Sequence, residues 1–240
     1  MNRRRFVCTA FALACAVSAI RATPSPEPAS ADLPVLQARL ADTTSPLTWV
    51  ITGDSITQGA KWLGPARSYG ELFSEFVRWD LGRRRDFFIN TAISGERTGG
   101  LLADFDWRVR RFQPDVVSLM IGMNDAVAGE AGRADFEANL RTLLTRVRDL
   151  GAIPILHRTN PIDDAAEGAR TRADLPAYNA IIARVAEDTD TILIDHWTDW
   201  MQRRPTLVER RAWLADPIHP NAAGHAAFAD AMRSELGLNE

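Results

Sequence analysis

The sequence predicts an α/β domain built on an open, parallel sheet with helices on both faces. Five short runs rich in β-branched, aromatic and aliphatic residues recur along the chain, each apolar at nearly every position rather than at every second one. Such runs are the pattern of strands covered on both sides. Segments of helical period separate them, and strand–helix alternation repeated five times points to crossover connections within one sheet.

The first run is 48–52 (Thr-Trp-Val-Ile-Thr), closed by Gly53, and the second is 87–89 (Phe-Phe-Ile). An amphipathic stretch over 68–82 is read as the helix between them, and 97–112 as the helix that follows. Residues 116–120 (Val-Val-Ser-Leu-Met) form the third run. Over 133–150, Phe136, Leu140, Leu143, Leu144, Val147 and Leu150 fall on one helical stripe, and Gly151 stands where a C-terminal cap belongs. The fourth run, 153–156, contains Pro154, which requires a place where one amide has no partner to lose. A helix over 175–187 carries Pro176 in its first turn, the fifth strand covers 191–194, and 222–236 closes the pattern as a helix. These patterns leave the strand order open. Either common doubly wound order places a ligand site beyond the carboxyl ends of the strands.

Composition narrows the class. With 46% hydrophobic and 25% charged residues the 240-residue chain is not a disordered one, and no uninterrupted apolar run approaches the ~20 residues of a membrane bundle. A net charge of −3 offers no basic footprint for nucleic acid. At the N-terminus, Arg3-Arg4-Arg5 precede an apolar stretch from Phe6 to Ile20 and a small-residue exit, which is the pattern of a secretory signal peptide over 1–22. Arg3-Arg4-Arg5-Phe6 also fits a twin-arginine signal, so the expected location is periplasmic or secreted. A Pro-rich linker and domain approach over 23–46 then leads to a domain at 47–240. Cys8 and Cys15 would leave with the signal, and so would four arginines, giving a mature domain of net charge −7 without disulfide or thiol nucleophile. No His/Cys/carboxylate cluster has metal-ligand spacing, so neither metal nor cofactor is implied.

Chemistry-bearing residues gather where strands end. Gly53-Asp54-Ser55 follows the first strand, Ser94-Gly95-Glu96 the second, and Gly122-Met123-Asn124-Asp125 the third; Asp216-Pro217-Ile218-His219 stands near the C-terminus. A serine hydroxyl becomes a nucleophile when a base takes its proton and a third group holds that base in the right tautomer. Ser55, His219 and Asp216 have the residue types for this, with Asp216 and His219 on one short loop. Read singly, each segment has a plainer use: Ser55 as a turn residue, Asp54 as a turn or helix-cap residue, Gly95 as a turn glycine, Asn124-Asp125 as an N-cap pair.

Taken together and in this order, the four segments resemble the four sequence blocks of the SGNH hydrolase (GDSL esterase/lipase) family. The resemblance spans about 47–236. It implies a three-layer α/β/α sandwich, flavodoxin-like, with strand order 2-1-3-4-5. It implies Ser55, Asp216 and His219 as the catalytic triad, and Ser55, Gly95 and Asn124 as donors of an oxyanion hole. Glycine at 95 is expected because a side chain would crowd the approaching carbonyl. No Gly-x-Ser-x-Gly elbow of the α/β-hydrolase type is present.

The function expected is therefore an exported serine esterase acting on short acyl esters, acetyl in the first place, carried by carbohydrate. Its partner is a small acylated substrate, with no nucleic acid and no membrane span in the mature form. An acyltransferase, a thioesterase or a lysophospholipase could use the same site, and a non-catalytic carbohydrate-binding module could use the same fold. Trp62 and Trp197 fall in loops after the first and fifth strands, where their rings could stack on sugars; Trp107 and Trp200 are further candidates, and Arg158-Thr159-Asn160-Pro161 is expected to face the site. Of the other histidines, His157 is read as a packed or surface residue, His225 as part of the last helix, and His196 as a pocket residue or rival base.

Overall fold

The computed structural model describes residues 30–59 and 61–238. The segment read as a signal peptide, and the start of the expected linker, lie outside the described residues. The strands are β1 (Thr48–Gly53), β2 (Phe87–Asn90), β3 (Val116–Met120), β4 (Ile153–Arg158) and β5 (Ile192–Asp195). The helices are α1 (Asp32–Ala41), α2 (Ser55–Gln58), α3 (Tyr69–Trp79), α4 (Thr98–Ala103) and α5 (Phe105–Arg108), then α6 (Arg133–Arg148), α7 (Leu175–Asp188), α8 (His196–Arg203), α9 (Leu207–Arg211) and α10 (Ala222–Glu235).

All five strands pair in parallel in the order β2-β1-β3-β4-β5. Every residue of β3 is buried, as its unbroken apolar run requires. Helix α3 packs against α10, while α6 packs against α4 and α7. The apolar core includes Trp49 of β1 and Phe73 of α3, their rings edge to face at 5.6 Å between centroids. The fold is the doubly wound sandwich expected, and its switch point lies between the carboxyl ends of β1 and β3.

Pro154 sits where the sheet tolerates it. The Ile153 amide donates to Asp115 O beside β3, so the next nitrogen faces β5, whose pairing with β4 starts only at Ile155 and Ile192. Three expectations need correction. Helix α1 lies inside the segment 23–46 assigned to linker and approach, and Leu36 and Leu40 are buried in the core. Its Gln37 side chain donates to Leu236 O at the C-terminal end of α10. The single helix expected over 97–112 is two short helices followed by a 3₁₀ turn, because Gly99 and Gly100 weaken its start and Asp104 and Val109 leave helical geometry. Trp197 is not in a loop after β5; α8 begins directly at His196.

Candidate active site

The turn that carries Ser55 is shaped by a close approach of two strands. At Gly53 a Cβ would stand 2.0 Å from Met120 O, so β1 can reach β3 only with glycine there. The chain then turns into α2, with Asp54 as N-cap: its Oδ1 accepts from the Ile56 amide at 3.0 Å. Ser55 is therefore the first residue of the helix, and its own N–H has no intrahelical acceptor. No other acceptor among the described residues takes it.

The C-terminal loop brings an imidazole to that serine. Asp216 Oδ1 accepts from the amides of Ile218 and His219, each at 2.8 Å, which folds the Asp-x-x-His segment onto its own carboxylate. Asp216 Oδ2 meets His219 Nδ1 at 2.8 Å, and His219 Nε2 meets Ser55 Oγ at 2.9 Å. A carboxylate can only accept, so Nδ1 carries the ring proton and Nε2 presents its lone pair to the serine hydroxyl. Asn160, in the loop after β4, is buried and donates to Ile218 O at 3.0 Å. That loop is thereby tied to the segment that carries His219.

Electrostatics favour a neutral His219 ring. Burial pushes the His219 pKa down; Asp216 opposes this, while Arg172 and Lys61 push it further down. Burial would raise the Asp216 carboxyl, but the amides of His219 and Ile218 and the His219 ring outweigh it, and the group is held below its usual range. Asp54 behaves oppositely. Fully buried beside Asp125, and relieved only in part by the Ile56 amide, it is pushed up to about 7.

The two loops that flank Ser55 are tied to it and to each other. In the loop after β2, the amide and hydroxyl of Ser94 donate to Gln58 Oε1 on α2. The next residue, Gly95, has φ +80° and an amide with no acceptor among the described residues. A Cβ at Gly95 would meet no protein atom within 4 Å, so the backbone conformation itself is what calls for glycine. The loop after β3 supplies Asn124, whose Nδ2 donates to Glu96 O at 3.0 Å. Its Oδ1 accepts from Arg172 Nη2 at 3.1 Å. The second N–H of that side-chain amide and the backbone amides of Ser55 and Gly95 have no acceptor among the described residues.

Of the aromatic candidates, only Trp62 joins this cluster. Its ring stacks on His219, 3.5 Å between centroids and 11° between planes, and Lys61 Nζ stands 5.5 Å above it. Trp200 is buried against Trp213, and Trp107 lies exposed on α5 under Arg111. His196 is not a rival base. Its buried Nε2 pairs with His157 Nδ1 at 2.9 Å, and His157 Nε2 pairs with Ser118 Oγ at 2.8 Å. His225 lies on α10 as expected, and its Nδ1 accepts from the Tyr69 amide. Sequence reasoning missed Arg172 and Arg108. The latter is buried and donates to Gly53 O, Thr52 Oγ1 and Thr91 O, while pairing with Glu96. Neither belongs to a short motif; each works through partners from other loops.

A profile of the GDSL-like lipase/acylhydrolase family matches residues 51–227. The chain belongs to that family. As a family member it is a carboxylic ester hydrolase of the SGNH type. Among curated relatives, the acetylxylan esterase of Geobacillus stearothermophilus is 28% identical over an alignment of 208 residues that covers 78% of this chain and 92% of that protein. The Escherichia coli (strain K12) protein named thioesterase 1/protease 1/lysophospholipase L1 is 26% identical over 190 residues, 79% of this chain and 83% of that one. Solved structures agree on the architecture. A catalytic mutant of the Geobacillus acetylxylan esterase superposes with a TM-score of 0.69 at 24% identity, covering 81% of this chain and 96% of its own. An α/β hydrolase enzyme from the metagenome of Lake Arreo, Spain, does so with 0.66 at 27% identity, covering 81% and 97%.

Proposed function

We propose that the protein is an exported serine esterase that removes short acyl groups, acetyl in the first place, from carbohydrate. The observation that carries the chemistry is the series Ser55 Oγ, His219 and Asp216, with contacts of 2.9 and 2.8 Å, on a fold whose flanking loops carry the Ser55 and Gly95 amides and a second Asn124 N–H that no described acceptor takes up. A purely binding role has no use for a hydroxyl, an imidazole and a carboxylate in series.

Ser55 Oγ attacks the ester carbonyl carbon while its proton passes to His219 Nε2. The carbonyl π pair moves onto oxygen, and the resulting oxyanion is held by the amides of Ser55 and Gly95 and by Asn124 Nδ2. Asp216 stabilises the imidazolium. When the tetrahedral centre collapses, the C–O bond to the leaving alcohol breaks and His219 returns the proton to that oxygen. The acyl group stays on Ser55 until water, activated by the same imidazole, releases it as the acid.

Support for the substrate class comes from two sides. The Geobacillus relative is named for acetylxylan. In this chain Trp62 lies flat on one face of the His219 ring, and a partly exposed aromatic edge next to the group that protonates the leaving alcohol suits a sugar. Export rests on the leader pattern of 1–22.

The test uses p-nitrophenyl esters of rising chain length and acetylated xylo-oligosaccharides, with Ser55→Ala alongside. The reading expects kcat/KM to peak at acetate, acetate to be released from the oligosaccharides, and Ser55→Ala to be inactive. A preference for long-chain thioesters or lysophospholipids would reassign the substrate. Wild-type rates in Ser55→Ala would end the serine mechanism. Export is checked by fractionating cells that express 1–240 or 23–240: the longer chain should appear outside the cytoplasm and the shorter inside.

A further inference from the structure

We propose that Arg172, at the end of a 3₁₀ segment (Glu167–Arg172) contributed by the loop after β4, is a positioning residue that fixes and polarises the Asn124 amide of the oxyanion hole. This rests on the hydrolytic reading of the site given above. The guanidinium spans two successive residues. Its Nε donates to Met123 O and its Nη2 to Asn124 Oδ1, both at 3.1 Å.

An asparagine amide has two ends of nearly equal size, and a hole that uses Nδ2 must prevent the flip that would present Oδ1 instead. Two contacts here oppose that flip. With Nδ2 donating to Glu96 O and Oδ1 accepting from Arg172, reversal would set carbonyl against carbonyl and NH₂ against guanidinium. Both new contacts are repulsive. A cationic donor on Oδ1 also draws density from the amide nitrogen, which makes the remaining Nδ2–H a stronger donor to an oxyanion.

Arg172 is itself held in place. Its Nη1 reaches Thr171 Oγ1, and burial weakens its hold on the proton while Asp54 and Asp216 support the charge. The arm that carries it also rests on the base loop: the Asp163 amide donates to Pro217 O at 2.8 Å, Arg211 pairs with Asp163, and a Cβ at Gly168 would come within 3.7 Å of the Pro217 ring. One short segment therefore touches both the loop of the base and the donor of the hole. Lysine cannot replace this fork, because a single ammonium does not reach two acceptors in fixed planar geometry.

The experiment is a double-mutant cycle on the whole protein with Arg172→Gln and Asn124→Ala, with Arg172→Lys and melting temperatures measured alongside. Loss of a hole donor costs about 10²–10³ in turnover, and loss of its support part of that. Arg172→Gln should lower kcat about 10- to 100-fold with KM within about threefold, and should cost little once Asn124 is already Ala. Arg172→Lys should lower kcat similarly yet keep the acid limb of the pH profile, whereas Arg172→Gln should move that limb to higher pH as the cation near His219 is lost. Equal losses from Arg172→Gln in both backgrounds, or a loss confined to KM, would overturn the positioning role. So would a loss that only tracks a fall in melting temperature. Wild-type kcat in Asn124→Ala would show that the hole itself is misassigned, and the proposal would fall with it.

Discussion

The molecule holds its four histidines in two kinds of surroundings. His219 lies at the sheet edge with a carboxylate on one ring nitrogen and a hydroxyl on the other. His157, His196 and His225 lie behind the nucleophile turn, packed around Tyr69, with only neutral partners. The imidazole is the same, and the partner decides its use. Asp216 can stabilise a positive ring, so His219 can take up and return a proton. Ser118, a second imidazole and a backbone amide cannot, so the buried three stay neutral. Burial pushes His157 to about 3 and His225 to about 4, and His196 well below its ordinary value.

The largest expected effect breaks the mouth and spares the core. Asp216→Asn should lower kcat by about 10⁴, since the amide cannot stabilise the imidazolium and favours the wrong tautomer. Circular dichroism and melting temperature should stay near wild type. Near-normal turnover would show that Asp216 does not orient His219.

The next effect concerns the core and appears in stability rather than rate. A histidine whose folded pKa is depressed contributes fully above its unfolded value of 6.5 and loses that contribution as the pH falls below it. Asp54 and Asp125, raised by burial, work the other way: the folded form binds their protons first and gains relative stability on acidification. Three imidazoles outweigh two carboxyls. Between pH 6 and 5, unfolding free energy measured in denaturant should therefore fall by on the order of 1–3 kcal/mol per pH unit. His196→Leu should remove about 1.4 kcal/mol per pH unit from that slope, while costing about 1–3 kcal/mol at pH 8 because His157 Nδ1 loses its partner. A stability that does not change between pH 7 and 5 would show that the buried rings are not kept neutral.

A smaller effect sharpens the view of the mouth. Since the His219 pKa is lowered, its acid limb should lie below the 6.5 of a free imidazole, and activity should persist into mildly acidic solution. Trp62→Ala bares one face of that ring. It should raise KM for a sugar ester by about 10-fold or less and leave p-nitrophenyl acetate nearly unaffected; equal losses on both would place Trp62 in the chemistry rather than in recognition.

What could be read from the chain follows from the range of the interactions. Strands β1, β3 and β4 were legible because a strand covered on both faces must be apolar throughout, whereas β2, at the sheet edge, is as apolar in sequence yet leaves Phe87 exposed. The serine, glycine, asparagine and histidine segments were legible because each turn builds its own geometry from near neighbours: Asp54 caps Ile56, and Asp216 binds the amides two and three residues on. Helix α1 left a signal that the neighbouring prolines obscured, with Leu33, Leu36 and Leu40 at helical spacing. Arg172 and the buried histidines left none. Arg172 meets an asparagine 48 residues away, and His157 meets a serine and a histidine each 39 away, so only the folded sheet pairs them.

Lys61 has a practical consequence. Among 28 cationic side chains it is the sole lysine, and it is exposed above the tryptophan that covers His219. An amine-selective dye or surface linker thus has one side chain to find, apart from the chain's α-amine. Attachment there puts a fluorescent reporter or an immobilisation point beside the Trp62–His219 stack, with no engineered handle.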